Sequence, residues 1–188
     1  LTDQALRSFL VSQAAENKYW PADEELVREL TKLPVYRRLS RARLRMVLEA
    51  IEDHRRGYAG GGRAFAGMRV PRSRYWIEHV MPQRWETYWK PPTVGTPEER
   101  AHRIHTFGNL TLLTERLNES VSNGPWGQQD EERGKCSALK QHDVLLINRD
   151  LDAHCQSNDW TDQSIESRTR ALIECIKNVW AVPDGHKS

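Results

Sequence analysis

The chain has 188 residues, 29% of them charged, and a formal net charge of +2, which is enough for one folded domain with its own core. No apolar run approaches the ~20 residues of a membrane span, and no signal-peptide pattern opens the chain, so no membrane partner is expected. The three cysteines are odd in number and widely spaced, which favours free buried thiols in a reducing cytosol.

The first third of the chain is predicted to be helical. An amphipathic helix is expected over residues 2–17, and a third and longest helix with an apolar stripe is expected after Pro34. Between them, acidic side chains in the first turn favour a second, short helix over residues 23–32. The glycine run at residues 60–62 then predicts a loop. Residues 1–70 therefore form a helical subdomain.

Positive charge is concentrated around this subdomain. Residues 36–75 carry eleven arginines against three acidic side chains, a local balance of +8. A basic surface of this kind attracts a phosphate backbone through its charge alone. The candidate DNA contacts are Arg69, Arg72 and Arg74 after the glycine run, and Arg41 on the third helix, with Arg37 and Arg38 beside it.

Residues 75–81 are rich in aromatic and β-branched side chains and predict a short strand that ends near Pro82. This strand places the acid Glu78 next to the imidazole of His79. In a regular strand the two side chains would point to opposite faces. A shared site therefore requires the strand to end and turn here, which Pro82 favours by restricting the residue before it.

The next segment supplies further polar side chains. Trp85 and Trp89, four residues apart, are predicted to be core residues rather than base-stacking ones. A capping box at Thr96 starts a short helix, and His105 after it is close enough to the next strand to line a cleft. That strand follows a Gly-Asn turn at Asn109.

The remaining residues are predicted to form a helix on the two strands and then a helical scaffold. The first helix starts at Asn118 and ends near Asn123. The polar stretch 128–141 is expected to be helical, whereas the apolar run 144–148 fits either a helix or a strand. Thr161 is predicted to cap a last helix that ends near residue 180.

Carboxylate, imidazole and carboxamide groups are the components of a small metal-dependent phosphodiesterase site. His79 is the candidate general base, because a neutral imidazole is available near pH 7. The side-chain oxygen of Asn109 could accept the other ring N–H and fix the tautomer. Glu78 and Asn118 offer hard oxygen ligands, which suit Mg²⁺ or Mn²⁺.

The strings at residues 77–83 (IEHVMPQ) and 108–113 (GNLTLL), with Asn118 and Ser122-Asn123, resemble the HNH, or ββα-metal, nuclease motif. They are most similar to the HNH domain at the C-terminal end of GmrSD-type modification-dependent restriction enzymes and related phage-defence nucleases, including the phosphorothioation-sensing ones. The resemblance covers about residues 40–180. It implies an α+β, mainly helical fold in which a ββα-metal core over residues 71–126 is embedded in helices, with residues 127–188 as scaffold.

The resemblance also implies a function. It assigns the general base to His79, the middle position that orients it to Asn109, and the metal positions to Glu78 and Asn118. The implied reaction is nicking or cleavage of DNA in the bacterial cytoplasm with Mg²⁺ or Mn²⁺, largely independent of sequence. His105 and Asn123 are possible site-lining residues.

Two further expectations concern partners. Because no paired Cys-x-x-Cys units are present, no structural zinc is expected. The start at Leu1 indicates a fragment of a longer protein, in which a nucleotide-hydrolysing N-terminal sensor domain would control cutting.

Two alternatives remain open. One is a non-catalytic DNA-binding module with a decayed HNH motif, which would bind DNA in a salt-sensitive way without cleaving it. The other is an HNH-type ribonuclease, which would cleave RNA in preference to DNA.

Overall fold

The fold is α+β and mainly helical, as the resemblance implies. The computed structural model describes residues 5–6, 8–9, 12–13, 19–58, 75–87, 89–92, 94–114, 125–127, 134–142, 145–157 and 159–181. In these residues the helices are α1 Asp23–Lys32, α2 Val35–Arg38, α3 Arg41–Arg55, α4 Pro97–Arg103, α5 Lys135–His142, α6 Arg149–Ser157 and α7 Asp162–Val179. The strands are β1 Tyr75–His79 and β2 Leu110–Thr114, and the 3₁₀ turns are Trp85–Thr87, Phe107–Asn109 and Leu146–Asn148.

Several predicted segments are only partly covered by this description. Of the helix predicted over residues 2–17, residues 5–6 and 8–9 are described and are helical. The glycine run at 60–62 and the helix predicted to start at Asn118 lie outside the described residues. In the part of the chain that is described, no helix is both long and apolar enough to cross a membrane.

The two strands pair antiparallel, and their register determines where the site lies. His79, the last residue of β1, is opposite Leu110, the first residue of β2. The pairing continues one step further, because the backbone N–H of Val80 donates to the carbonyl of Asn109 at 2.9 Å. The exit of β1 and the entry of β2 therefore lie side by side.

Helix α7 packs against this strand junction and holds it in place. It begins as predicted, with Thr161 accepting from the Ser164 N–H at 3.2 Å. Its buried Arg168 donates to the carbonyls of Gly108 at 2.7 Å and Leu110 at 2.9 Å. The charged Arg168 guanidinium therefore donates to backbone carbonyls and fixes the start of β2 against the helix.

Two hydrophobic clusters fill the interior. One contains Trp85, Trp126 and Trp160, and Trp89 packs against it. The prediction that Trp85 and Trp89 are core residues is therefore confirmed. The other joins the apolar face of α3 to β2 and α7. The residues of that face are Leu44, Leu48 and Ile51, all fully buried.

The cysteines differ from the prediction. Cys136 on α5 and Cys155 on α6 form a disulfide with their Cα atoms 5.4 Å apart, whereas Cys175 is free. The expectation of free thiols is therefore wrong for the first two, which are 19 positions apart in sequence but meet because α5 and α6 pack together. Since disulfides are rare in a reducing cytosol, the cysteines give no support to that compartment.

Candidate active site

The candidate site begins where β1 stops. The strand ends at His79, and the chain bends at Val80 and Met81 before Pro82, so the predicted turn is confirmed. The His79 ring is buried, with 5% of the residue exposed, whereas the Glu78 side chain remains 21% exposed. The two neighbouring side chains therefore have different surroundings and different partners.

The partner of His79 is a second histidine. Its Nε2 atom lies 3.2 Å from Nδ1 of His105, in hydrogen-bonding range. The ring of Tyr36 contacts both imidazoles, with centroid distances of 4.3 Å to His79 and 5.7 Å to His105. The backbone N–H of Tyr36 also donates to the carbonyl of His105 at 3.1 Å. Helix α2 thus closes one side of the imidazole pair.

Both imidazoles are held in the neutral form. Burial lowers the pKa of His79 to about 3, and the positive charges of His105, Lys135 and nearby arginines act in the same direction. Burial also lowers the pKa of His105 to about 4, helped by Arg37. A neutral ring carries one N–H and one free nitrogen, so only one of the two facing nitrogens holds the shared proton. His79 is therefore in the protonation state that a general base requires.

Positive charge lies directly beside this pair. The guanidinium of Arg41 stacks over the Tyr36 ring, 3.4 Å from its centroid, and donates to the Tyr36 carbonyl. The ring of Tyr36 in turn contacts His79. The arginine proposed from sequence as a DNA contact is thus separated from the candidate base by one aromatic ring.

Asn109 has a different role from the one predicted. Its Oδ1 accepts from the Met81 N–H at 2.8 Å and from the Trp160 indole N–H at 3.1 Å. Its Nδ2 donates to the carbonyls of Met81 at 2.8 Å and Ile104 at 2.9 Å. These four bonds use the full capacity of a carboxamide, so the direct bond to the His79 ring is not formed. Asn109 instead ties the turn after β1 to the entry of β2.

Glu78 is held by a lysine that sequence reasoning missed. The Lys135 ammonium donates to Glu78 Oε1 at 2.9 Å and to the carbonyl of His79 at 2.7 Å. Lys135 is itself only 2% exposed, and burial lowers its pKa although the Glu78 carboxylate opposes the shift. Because the lysine comes from the first turn of α5, it connects the C-terminal helices to the end of β1.

The described donors fit a divalent cation in a limited way. No group of three or more His, Cys, Asp or Glu side chains in the described residues is arranged to hold a metal. Within the same residues, Glu78 Oε2 makes no hydrogen bond and is the available carboxylate oxygen. One carboxylate completed by water and substrate phosphate is a common way to bind Mg²⁺. Glu78 could therefore supply one ligand, and the other proposed ligand, Asn118, lies outside the described residues.

The structure thus brings together part of the predicted set. His79, Asn109 and His105 converge at the strand junction, and Glu78, the neighbour of His79 in the chain, is held there by Lys135. The residues added by the structure are Tyr36 and Lys135. Neither had a signal in the sequence, because a tyrosine beside two arginines and a lysine in a polar stretch both resemble surface residues. The candidates outside the described residues are Asn118, Asn123, Arg69, Arg72 and Arg74.

Comparison with known proteins agrees with the resemblance. A family described as "GmrSD restriction endonucleases, C-terminal domain" matches residues 20–175, which include the strand junction and all the helices α1 to α6. No curated protein matches the chain significantly. The family implies a nuclease of the restriction type that acts on DNA. The match spans most of the sequence, and the chain therefore belongs to the family of GmrSD restriction endonuclease C-terminal domains.

Proposed function

We propose that this chain is a metal-dependent HNH endonuclease domain that nicks or cleaves DNA phosphodiesters. The observation that supports it best is the position of His79, which is buried and neutral at the end of β1 with one nitrogen directed at His105. In a member of a restriction endonuclease family, a neutral imidazole has a nitrogen that can accept a proton from an attacking water.

In the proposed mechanism the Nε2–H of His79 donates a hydrogen bond to Nδ1 of His105, 3.2 Å away, and the proton stays on His79. This tautomer leaves the lone pair on Nδ1 of His79 available to accept a proton from water. His105 acts as a positioning residue, because it selects the tautomer of the base and holds the ring plane. The Tyr36 ring packs against both imidazoles and keeps them in this arrangement.

Glu78, with Asn118, would hold Mg²⁺ or Mn²⁺. When bound, such an ion would stabilise negative charge on the leaving oxygen. Lys135 fixes Glu78 and the carbonyl of His79 through a single ammonium group, so the carboxylate and the base keep a constant separation. Asn109 keeps the turn after β1 in place through its bonds to Met81.

The family also supports a wider biological role for this domain. We propose that it is the cutting module of a bacterial modification-dependent restriction or anti-phage system. A nucleotide-hydrolysing sensor domain of the parent protein would control its activity. Without that control, the domain is expected to nick DNA weakly and with little sequence preference.

Incubation of the protein with supercoiled plasmid tests the proposal. We expect relaxed plasmid with Mg²⁺ or Mn²⁺ and none with EDTA. An equal mass of structured RNA, incubated in parallel, should remain intact. Plasmid that stays supercoiled at high protein and metal concentrations, although the protein binds it, would support a decayed motif instead. Faster cleavage of RNA than of DNA would support the ribonuclease alternative.

A further inference from the structure

The described residues contain a cleft of about 640 Å³ that is lined mostly by charged and polar side chains. It lies where the C-terminal end of α1, the short helix α2 and the end of α4 meet. Leu33 and Pro34 form its apolar part. Its polar lining is supplied by Glu29, Lys32, Arg37, Arg38 and His102.

The cationic side chains of this cleft have hydrogen-bond donors that no contact within the described residues uses. Within the described residues, the side chains of Lys32, Arg37 and Arg38 make no ion pair or hydrogen bond, and all three are exposed. The carboxylate of Glu29 bonds to the guanidinium of Arg28 at 3.1 Å. The cleft therefore carries an excess of positive charge, because three cationic side chains line it and its carboxylate, Glu29, is paired with Arg28.

The negative end of α1 does not cancel this charge. Helix carbonyls at a C-terminus repel anions, but Nε2 of His102 lies 2.7 Å from the carbonyl of Lys32. Since a carbonyl can only accept, His102 must be the donor, and it caps that carbonyl at the wall of the cleft. Of the other polar lining groups, Lys32, Arg37 and Arg38 are cationic donors, and Glu29 is a carboxylate paired with Arg28.

One residue of the cleft is the immediate neighbour in sequence of a residue of the candidate site. Arg37 follows Tyr36, whose ring packs on His79 and His105. The charge of Arg37 is also close enough to both imidazoles to lower their pKa values. A duplex carries one phosphate on each strand for every ~3.4 Å of its helix axis. Other backbone phosphates therefore flank a scissile bond at His79, and Arg37 is a neighbouring cation that they can contact.

We propose that this cleft binds backbone phosphates of the DNA duplex next to the bond that is cut. Arginine guanidinium groups suit this ligand, since they stay charged and donate in pairs to phosphate oxygens. The contact is independent of base sequence, because phosphates carry no sequence information. The inference rests on the proposed function only in taking DNA as the ligand.

The test measures equilibrium binding of the whole chain to a fluorescent duplex of about 30 bp in EDTA. The binding constant is determined over a range of salt concentrations. The variant is Arg37→Gln with Arg38→Gln. We expect the slope of log K against log salt to become shallower by about 1 for each lost phosphate contact, equally for two unrelated sequences. Arg37→Lys with Arg38→Lys keeps both charges and should keep most of the slope.

The matched control is Arg149→Gln with Arg170→Gln, which removes the same charge from two exposed arginines on α6 and α7. Its slope should equal that of the unaltered protein. An unchanged slope in the Arg37 and Arg38 variant would overturn the proposal that the cleft binds phosphates. An equal decrease of the slope in the control would also overturn it. Failure of the proposed function is distinguishable, since it would appear as normal binding in EDTA with no cleavage when metal is added.

Discussion

Nε2 of His79 and Nδ1 of His105 face each other at 3.2 Å in the interior of the protein. Two imidazoles in this geometry can share one proton but cannot both be charged without severe repulsion. Burial is the main reason that the base is neutral, and the pairing adds to it and reserves one of the ring nitrogens. It also makes the stability of the fold depend on pH.

We predict that acidification destabilises the protein through this pair. The folded-state pKa values are about 3 for His79 and about 4 for His105, below the ~6.5 of an unfolded chain. Between these values the unfolded state binds more protons, so the free energy of unfolding falls as pH decreases below about 6.5. Urea unfolding at pH 7.5 and 5.0 should differ by about 2 kcal/mol for each of the two histidines. In a His79→Gln and His105→Gln double variant the difference should shrink, and an equal pH dependence in both proteins would contradict the assignment.

Asn109→Ala is predicted to act mainly on stability. The substitution leaves the Met81 N–H, the Trp160 indole and two carbonyls without their partners. Each buried group left unsatisfied costs about 1–3 kcal/mol, so the free energy of unfolding should fall by at least about 3 kcal/mol in a urea titration. The exposed substitution Gln163→Ala serves as control and should change it by less than about 0.5 kcal/mol. A fully stable Asn109→Ala protein that has lost activity would instead favour the direct contact with His79.

Glu78 and Lys135 are predicted to be energetically coupled. Glu78→Gln leaves a buried ammonium without its counter-charge and should lower the free energy of unfolding by about 3 kcal/mol. Adding Lys135→Met removes that uncompensated charge, so the double variant should be more stable than the sum of the two single losses implies. A double-mutant cycle by urea unfolding measures the coupling. Additive losses would show that the 2.9 Å contact contributes nothing.

Gly108→Ala is predicted to push the last helix away from the strand junction. A Cβ atom at this position would lie 2.7 Å from the backbone nitrogen of Thr169 and would overlap the carbonyl of Ile165. Overpacking against backbone cannot be relieved by a side-chain rotation, so we expect a loss of about 2 kcal/mol or more. Thermal unfolding measures it, and a variant as stable as the unaltered protein would show that α7 tolerates displacement here.

Much of the local structure could be predicted from sequence because its signals are local. The capping boxes at Thr96 and Thr161 are both formed, and the strand before Pro82 ends at His79. Helix α6 was not predicted. The apolar run at 144–148 before it has no clear period, and its residues 146–148 form a 3₁₀ turn that leads into the helix at Arg149. A short apolar run gives too few repeats to separate helix from strand.

The partners in the site were harder to predict because they depend on tertiary packing. His105 is 26 positions from His79, and Lys135 is 57 positions from Glu78. A motif identifies which side chains carry chemistry but not which long-range neighbours satisfy them. The predicted role of Asn109 was wrong for this reason. The four groups that its side chain bonds belong to three separate segments of the chain.

The most direct test of the nuclease assignment is the single-turnover rate of plasmid nicking by His79→Ala compared with the unaltered protein, at saturating protein with Mn²⁺. Loss of a general base should slow the reaction by about 10²–10⁴-fold, while binding to DNA in EDTA stays the same. His79→Ala that nicks as fast as the unaltered protein would contradict the assignment of His79 as the base and with it the proposed mechanism.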